Sequence, residues 1–201
     1  MKKGLMIGLG IVLLLIVMTG ACVVGPYNTM VTKDEDVNEK WSQVENVYQR
    51  RMDLIPNLVN TVKGYAQHEQ ETFKAVTEAR AKAGGTMQIS GEALSNPATF
   101  QNFQQAQNSL GGALSRLMVV MEKYPELKAN ENFMKLQDEL SGTENRIATE
   151  RRRFNKSAKE FNTFIRKFPK NIIANMFGFD KKPYFQAAEE AKTAPKVDFS
   201  K

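Results

Sequence analysis

The chain has 201 residues, 42% of them apolar, and a formal net charge of +6. That length suits one domain with an appendage, and the charge is too mild for the basic footprint of a nucleic-acid binder. The one cysteine, Cys22, excludes an intramolecular disulfide framework, and with one histidine, His68, there is no Cys/His set for zinc.

Lys2 and Lys3 precede an uncharged run from Gly4 to Val31. As a helix at ~1.5 Å per residue, residues 4–24 would be about 31 Å long, enough to cross a ~30 Å hydrocarbon core. Positive charge before the span favours a cytoplasmic N-terminus. The expectation is therefore an uncut single-pass anchor over residues 1–26 with an extracytoplasmic body. Two rivals stay open. The run also fits a cleaved secretory signal. Met18-Thr19-Gly20-Ala21-Cys22 also resembles a bacterial lipoprotein cleavage box, which would anchor the chain through lipidated Cys22.

A second segment, residues 27–185, carries the folded body, and residues 186–201 read as a polar tail. Thr32 and Glu35 have the spacing of a capping box. From there an apolar rhythm runs to about Ala83. Val37, Val44, Leu58 and Tyr65 form one seven-residue series, and Trp41, Tyr48, Ile55 and Val62 the other, as in a coiled-coil seam. Followed strictly, these series also place Arg51 and Glu69 at seam positions. Pro56 stands inside the pattern. It removes a backbone donor and crowds the carbonyl of Met52, four residues earlier.

Residues 84–95 read as a loop after Gly84-Gly85. Asn96-Pro97 is a cap followed by proline at the first helical position. The next seams are Phe103, Leu110, Leu117 and Tyr124, and Phe100, Gln107, Leu114 and Met121. Gly111-Gly112 interrupts them, inviting close approach of a neighbouring helix. The last long helix, from Asn130 to Phe168, has the clearest seam: Phe133, Leu140, Ile147, Phe154, Phe161 and Phe168. Its companion series is mixed: Gln137, Glu144, Arg151, Ala158 and Ile165. Residues 172–179 predict a short apolar helix stopped near Gly178, and Pro183-Tyr184-Phe185 a docking segment.

The predicted fold class is all-α: an antiparallel up-and-down bundle of three to four long helices following an N-terminal membrane helix. The long helices are expected near 32–83, 97–123 and 130–168. A break at Gly64 would divide the first and make four.

RRMDLIPNLVNTVKGYAQHE, YPELKANENFMKLQDELSGTENRIATERRRFN, the Phe161-Asn162 pair and the closing FP and GF motifs resemble the LemA family of bacteria. The resemblance covers about Tyr27 to Phe185. It implies a membrane-attached, extracytoplasmic, antiparallel helical bundle without an assigned activity, and partnership with membrane proteases or membrane-stress proteins. Cys22 in its lipoprotein-like context departs from the family's plain anchor.

No catalytic constellation emerges. His68 lies beside Glu69 and Glu71, but too few ligands exist for a metal site. No serine occupies a nucleophile elbow, and no glycine pattern follows a strand to cradle phosphate. No cofactor is implied. The basic run Arg151, Arg152, Arg153, Lys156, Lys159, Arg166, Lys167 and Lys170 reads as a solvated face or as a surface for anionic lipid or an acidic partner. The candidate site is the polar seam: Arg51, Asp53, Pro56, Asn57, Glu69, Glu144 and Arg151, with Asn60, Asn145 and Asn155 nearby. Such charges enter a core only when paired. Either they form a network that fixes register, or they line a cleft opened by the Pro56 kink. If the first and last long helices are parallel, Arg51 is level with residue 149 and pairs with Glu144 or Glu150, while Asp53 engages Arg151 or Arg152. The functional expectation is a membrane-attached, non-enzymatic scaffold or adaptor that binds another envelope or membrane protein, and not nucleic acid. The alternatives are an accessory regulator of a membrane protease and a ligand-binding module with a polar cleft near Pro56.

Overall fold

The computed structural model describes residues 2–88 and 93–186, with the side chains of all but residues 2, 3, 5, 11–19, 21 and 22. Its helices are α1 (Lys2–Lys63), α2 (Gln70–Gln88), α3 (Pro97–Met121), the single turn α4 (Pro125–Lys128), α5 (Glu131–Arg166) and α6 (Lys170–Phe177). The chain divides after Lys63, as the weak point at Gly64 predicts, so the body is built on α1, α2, α3 and α5 running up, down, up and down.

The start at Thr32 is corrected. α1 runs unbroken through Pro26, and the Thr32 hydroxyl donates to the Asn28 carbonyl one turn back at 3.0 Å instead of capping a helix. α2 continues through Gly84-Gly85 to Gln88, because Ala83 on its inner face is still buried against the core. The cap of α3 is as predicted, and α5 starts at the predicted place with Asn130 as its cap. Asn96 Oδ1 accepts from the backbone N–H of Ala98 at 2.9 Å and of Thr99 at 3.3 Å, and Asn130 Oδ1 from that of Phe133 at 3.0 Å. Gly178, at φ 74°, ends α6 in the left-handed conformation that glycine adopts without strain.

The membrane expectation is corrected as well. No helix among the described residues is long and apolar enough to cross a membrane. The centre of the expected span, with Cys22 and the lipoprotein reading that hangs on it, falls outside the described side chains. The single-pass anchor, the N-terminal membrane helix of the fold class and the topology built on them, including the extracytoplasmic body, are not supported.

The core has two parts. One joins Met52, Ile55, Leu58 and Val62 of α1, Phe73 and Val76 of α2, Leu110, Leu114 and Leu117 of α3, and Phe133 and Leu140 of α5. The other joins Val37, Trp41, Val44 and Tyr48 of α1, Phe100 and Phe103 of α3, and Ile147, Phe154 and Phe161 of α5. Among the described residues, α2 adds Met87 to the margin of this second part. The rest of its wall is supplied by Leu94, by Ile173 and Ala174 of α6, and by Phe185 from the segment after α6. Burying one such aromatic or aliphatic side chain stabilises by about 1.5–3 kcal/mol.

Candidate functional site

Between the two core parts lies a polar layer. On α1, Arg51 stands between Tyr48 and Met52, the ends of the two clusters; on α3, Gln107 lies between Phe103 and Leu110; on α5, Glu144 lies between Leu140 and Ile147. Arg51 is 3% exposed. Its Nη1 donates to Glu144 Oε1 at 3.0 Å, and its Nη2 to the Gln107 carbonyl at 3.2 Å and to Gln107 Oε1. The guanidinium sits 5.0 Å from the centre of the Tyr48 ring. Burial pushes the Tyr48 phenol above its ordinary pKa, while the charges of Arg151 and Arg51 pull it the other way. A buried cation is tolerated here because a carboxylate and two amide oxygens converge on it. The layer joins three helices at one height.

The structure thus brings Arg51 and Glu144 together, but not for the reason the parallel arrangement gives. α5 runs antiparallel to α1. Arg50 meets Glu139 at 3.4 Å, Lys33 meets Glu160 at 3.7 Å, and Ser157 donates to Asp36, so numbers rise on one helix as they fall on the other. Glu150 is held by Arg153 of its own helix at 2.8 Å. Asp53 accepts from Gln49 at 2.8 Å on α1, exposed and away from Arg151 and Arg152. Asn57, Asn60 and Asn145 face solvent. Glu69 lies half-buried in the linker before α2 rather than in a seam, because the helix has already ended, and His68 is exposed beside it. Gly111 does not admit a helix backbone: a methyl there would meet only Arg51 Nη1 at 4.0 Å, and Gly112 faces open space.

Pro56 stays within α1. Its missing N–H leaves the Met52 carbonyl without the usual helical donor. Arg80 of α2 takes that place, its Nε donating to Met52 O at 3.0 Å. An open depression of about 580 Å³ lies alongside, lined by Gln49, Met52, Arg80, Gly84 and Met87. The proline therefore makes an acceptor that docks α2, not an interior cleft.

Arg151 belongs to a second constellation, which receives the docking segment expected at Pro183-Tyr184-Phe185 and whose receiving side chains sequence reasoning did not identify. The chain leaves α6 and runs irregularly to Gln186, held by side-chain amides. Asn162 donates to the Lys182 carbonyl and accepts from its N–H, both at 2.8 Å, and also donates to the Tyr184 hydroxyl. Asn155 donates to the Phe185 carbonyl at 3.0 Å and accepts from its N–H at 2.9 Å. Gln104 of α3 does the same for Gln186, at 2.9 and 3.3 Å, and Arg151 Nη2 donates to the Gln186 carbonyl at 3.0 Å. The Phe185 ring enters a box of Phe100, Phe154 and Trp41, with centroids 4.8, 5.6 and 5.9 Å away, and Arg151 lies 4.6 Å over its face. Lys182 pairs with Asp34 at 2.7 Å. The available signal was the pair Asn155 and Asn162, seven residues apart beside the seam phenylalanines Phe154 and Phe161.

Among the described residues no group of three or more His, Cys, Asp and Glu side chains could hold a metal ion. A family model described as the LemA family matches residues 40–199. The chain is 32% identical over 179 residues to magnetosome protein MamQ 2 of Paramagnetospirillum magneticum, covering 80% of this chain and 64% of that protein. To magnetosome protein MamQ of Magnetospirillum gryphiswaldense it is 30% identical over 174 residues, covering 79% and 64%. To Protein LemA of Metamycoplasma hominis it is 26% identical over 166 residues, covering 83% and 71%. It therefore spans 64% of the length of the magnetosome proteins it matches. The family match takes in every helix from α2 to α6 and α1 from Lys40 onward, and the chain belongs to the LemA family.

Proposed function

We propose that the bundle is a non-enzymatic scaffold that holds another protein in an envelope- or magnetosome-associated assembly. The observation that carries this reading is where the polar groups go. Arg51 binds Gln107 inside the bundle and Glu144 at its margin, and Asn155, Asn162 and Gln104 bind its own backbone. Groups committed in this way fix register and do not turn over a substrate. The functional part is then the surface. The names of the magnetosome relatives support an organelle or envelope setting. Photo-crosslinking in cells from exposed positions, such as Met134 on α5 and Val119 on α3, tests it. One protein recovered repeatedly from neighbouring positions supports the scaffold, whereas no recurrent partner from any position contradicts it.

A further inference from the structure

The segment after α6 is bound as a ligand would be. Three amide side chains, each both donating and accepting, grip the main chain of Lys182, Phe185 and Gln186, while the box of Trp41, Phe100 and Phe154 takes one aromatic ring. Bidentate capture of backbone with one side-chain pocket is a mode of peptide recognition. Here it does not depend on which copy of the chain supplies the peptide. A second copy's segment would make each of these amide and ring contacts unchanged, so exchange costs the entropy of association and the bond at the hinge from Phe179 N–H to the Ala174 carbonyl at 2.9 Å.

Two features beside the segment favour exchange. The first is its tether. The turn out of α6 is made at Gly178, the positive-φ glycine of the described residues, where a redirected backbone meets no Cβ. The second is an uncovered apolar stripe at the same end of the molecule. Phe168, Ile172 and Met176 recur every fourth residue and are 81%, 53% and 70% exposed, while Ile173 and Ala174 on the opposite face of α6 are buried. Two chains that trade segments bring their α6 helices together, and packing these stripes against each other offsets the entropy of association.

We propose that two copies of the chain exchange residues 179–186 reciprocally, each docking its Phe185 in the other's aromatic box, with the α6 stripes packed at the junction. This deepens the scaffold reading by naming the chain itself as a partner. It is tested separately from that reading, because it needs no other protein. The Lys182–Asp34 pair, at 2.7 Å, is a built-in reporter. Full-length chain made with light and with heavy isotopes is mixed, incubated across a range of concentrations, and treated with a carbodiimide, which joins a carboxylate to a touching amine. Exchange gives Asp34–Lys182 linked peptides with one light and one heavy half, in a share that grows with protein concentration. Unmixed linked peptides alone, at every concentration, overturn the proposal. Replacing Phe168, Ile172 and Met176 together by serine should reduce the mixed peptides several-fold and leave the unmixed ones. Mixed peptides unaffected by that change overturn the role given to α6.

Discussion

Arg80 Nε donates to the carbonyl of Met52, the one acceptor in α1 that Pro56 deprives of its helical donor. A residue expected to weaken a helix thus creates the contact that sets the height of its neighbour. Arg80→Ala leaves that half-buried carbonyl unpaired, at a cost of about 1–3 kcal/mol. In a Pro56→Ala background the restored N–H serves the same carbonyl, and the cost of losing Arg80 should shrink. Urea denaturation of the four proteins measures this coupling. Equal cost of Arg80→Ala in both backgrounds would show that the bond does not compensate the proline.

The polar layer should be strongly asymmetric. Arg51 is buried while the Glu144 side chain is 44% exposed. Arg51→Ala leaves the neutral Gln107 amide without its partner inside the bundle and should cost about 1–3 kcal/mol. Glu144→Ala leaves the buried Arg51 cation without its carboxylate and should cost ~3–5 kcal/mol. Arg51→Met combined with Gln107→Leu should recover much of the Arg51→Ala loss, since matched apolar groups replace a buried polar pair with little penalty. Chemical denaturation that ranks Arg51→Ala as costlier than Glu144→Ala would contradict this order.

The segment holding Phe185 should detach as a unit. Asn155→Ala and Asn162→Ala each remove a clamp of two backbone hydrogen bonds and should each cost ~1–3 kcal/mol. Together they should cost less than the sum, because the first loss already frees the segment. Trp41, the one tryptophan in the chain, lies against Phe185 and reports the event. Its emission should shift to the red in either variant, with faster hydrogen exchange at Lys182 and Phe185. Unchanged exchange at both amides in the double variant would refute the clamp.

Tyr48 gives an alkaline signature. Burial raises its pKa in the folded chain above the ordinary phenol value of about 10 that holds in the unfolded chain. As pH rises past 10.0 the unfolded chain releases this proton first. The stability contribution is therefore fully present below that pH and is lost as pH climbs toward the folded pKa. Above pH 10 the wild-type chain should lose stability more steeply than Tyr48→Phe, and the two curves should run parallel below it. Identical slopes above pH 10 would mean that the phenol ionises alike in both states.

Much of the fold could be read from spacing. Trp41, Tyr48, Ile55, Val62, Phe103, Leu110, Leu117, Phe133, Ile147, Phe154 and Phe161 are all buried, because a seven-residue repeat on a helix can face only one way. Phe168 breaks its series at 81% exposure, since α5 ends at Arg166 and the repeat has no helix to ride on. Periodicity cannot give direction. The parallel arrangement of first and last helices is overturned, and Glu144 faces Arg51 through an antiparallel register instead. Nor can it assign an asparagine to backbone that lies elsewhere. Asn155 reads as lining for a cleft near Pro56, yet it holds Phe185, 30 positions along the chain. The expected anchor over residues 4–24 rests on composition alone, and the described residues contain no helix fit to cross a membrane.

The most direct test asks whether the polar layer is architecture or site. Arg51→Met with Gln107→Leu removes the buried polar pair of the layer and leaves the exposed surface alone. The variant is carried through the same in-cell photo-crosslinking as the wild type, with helicity confirmed by circular dichroism. A scaffold that works through its surface recovers the same partner at comparable yield. A folded variant that loses its partner would place recognition in the Arg51 layer and contradict the account.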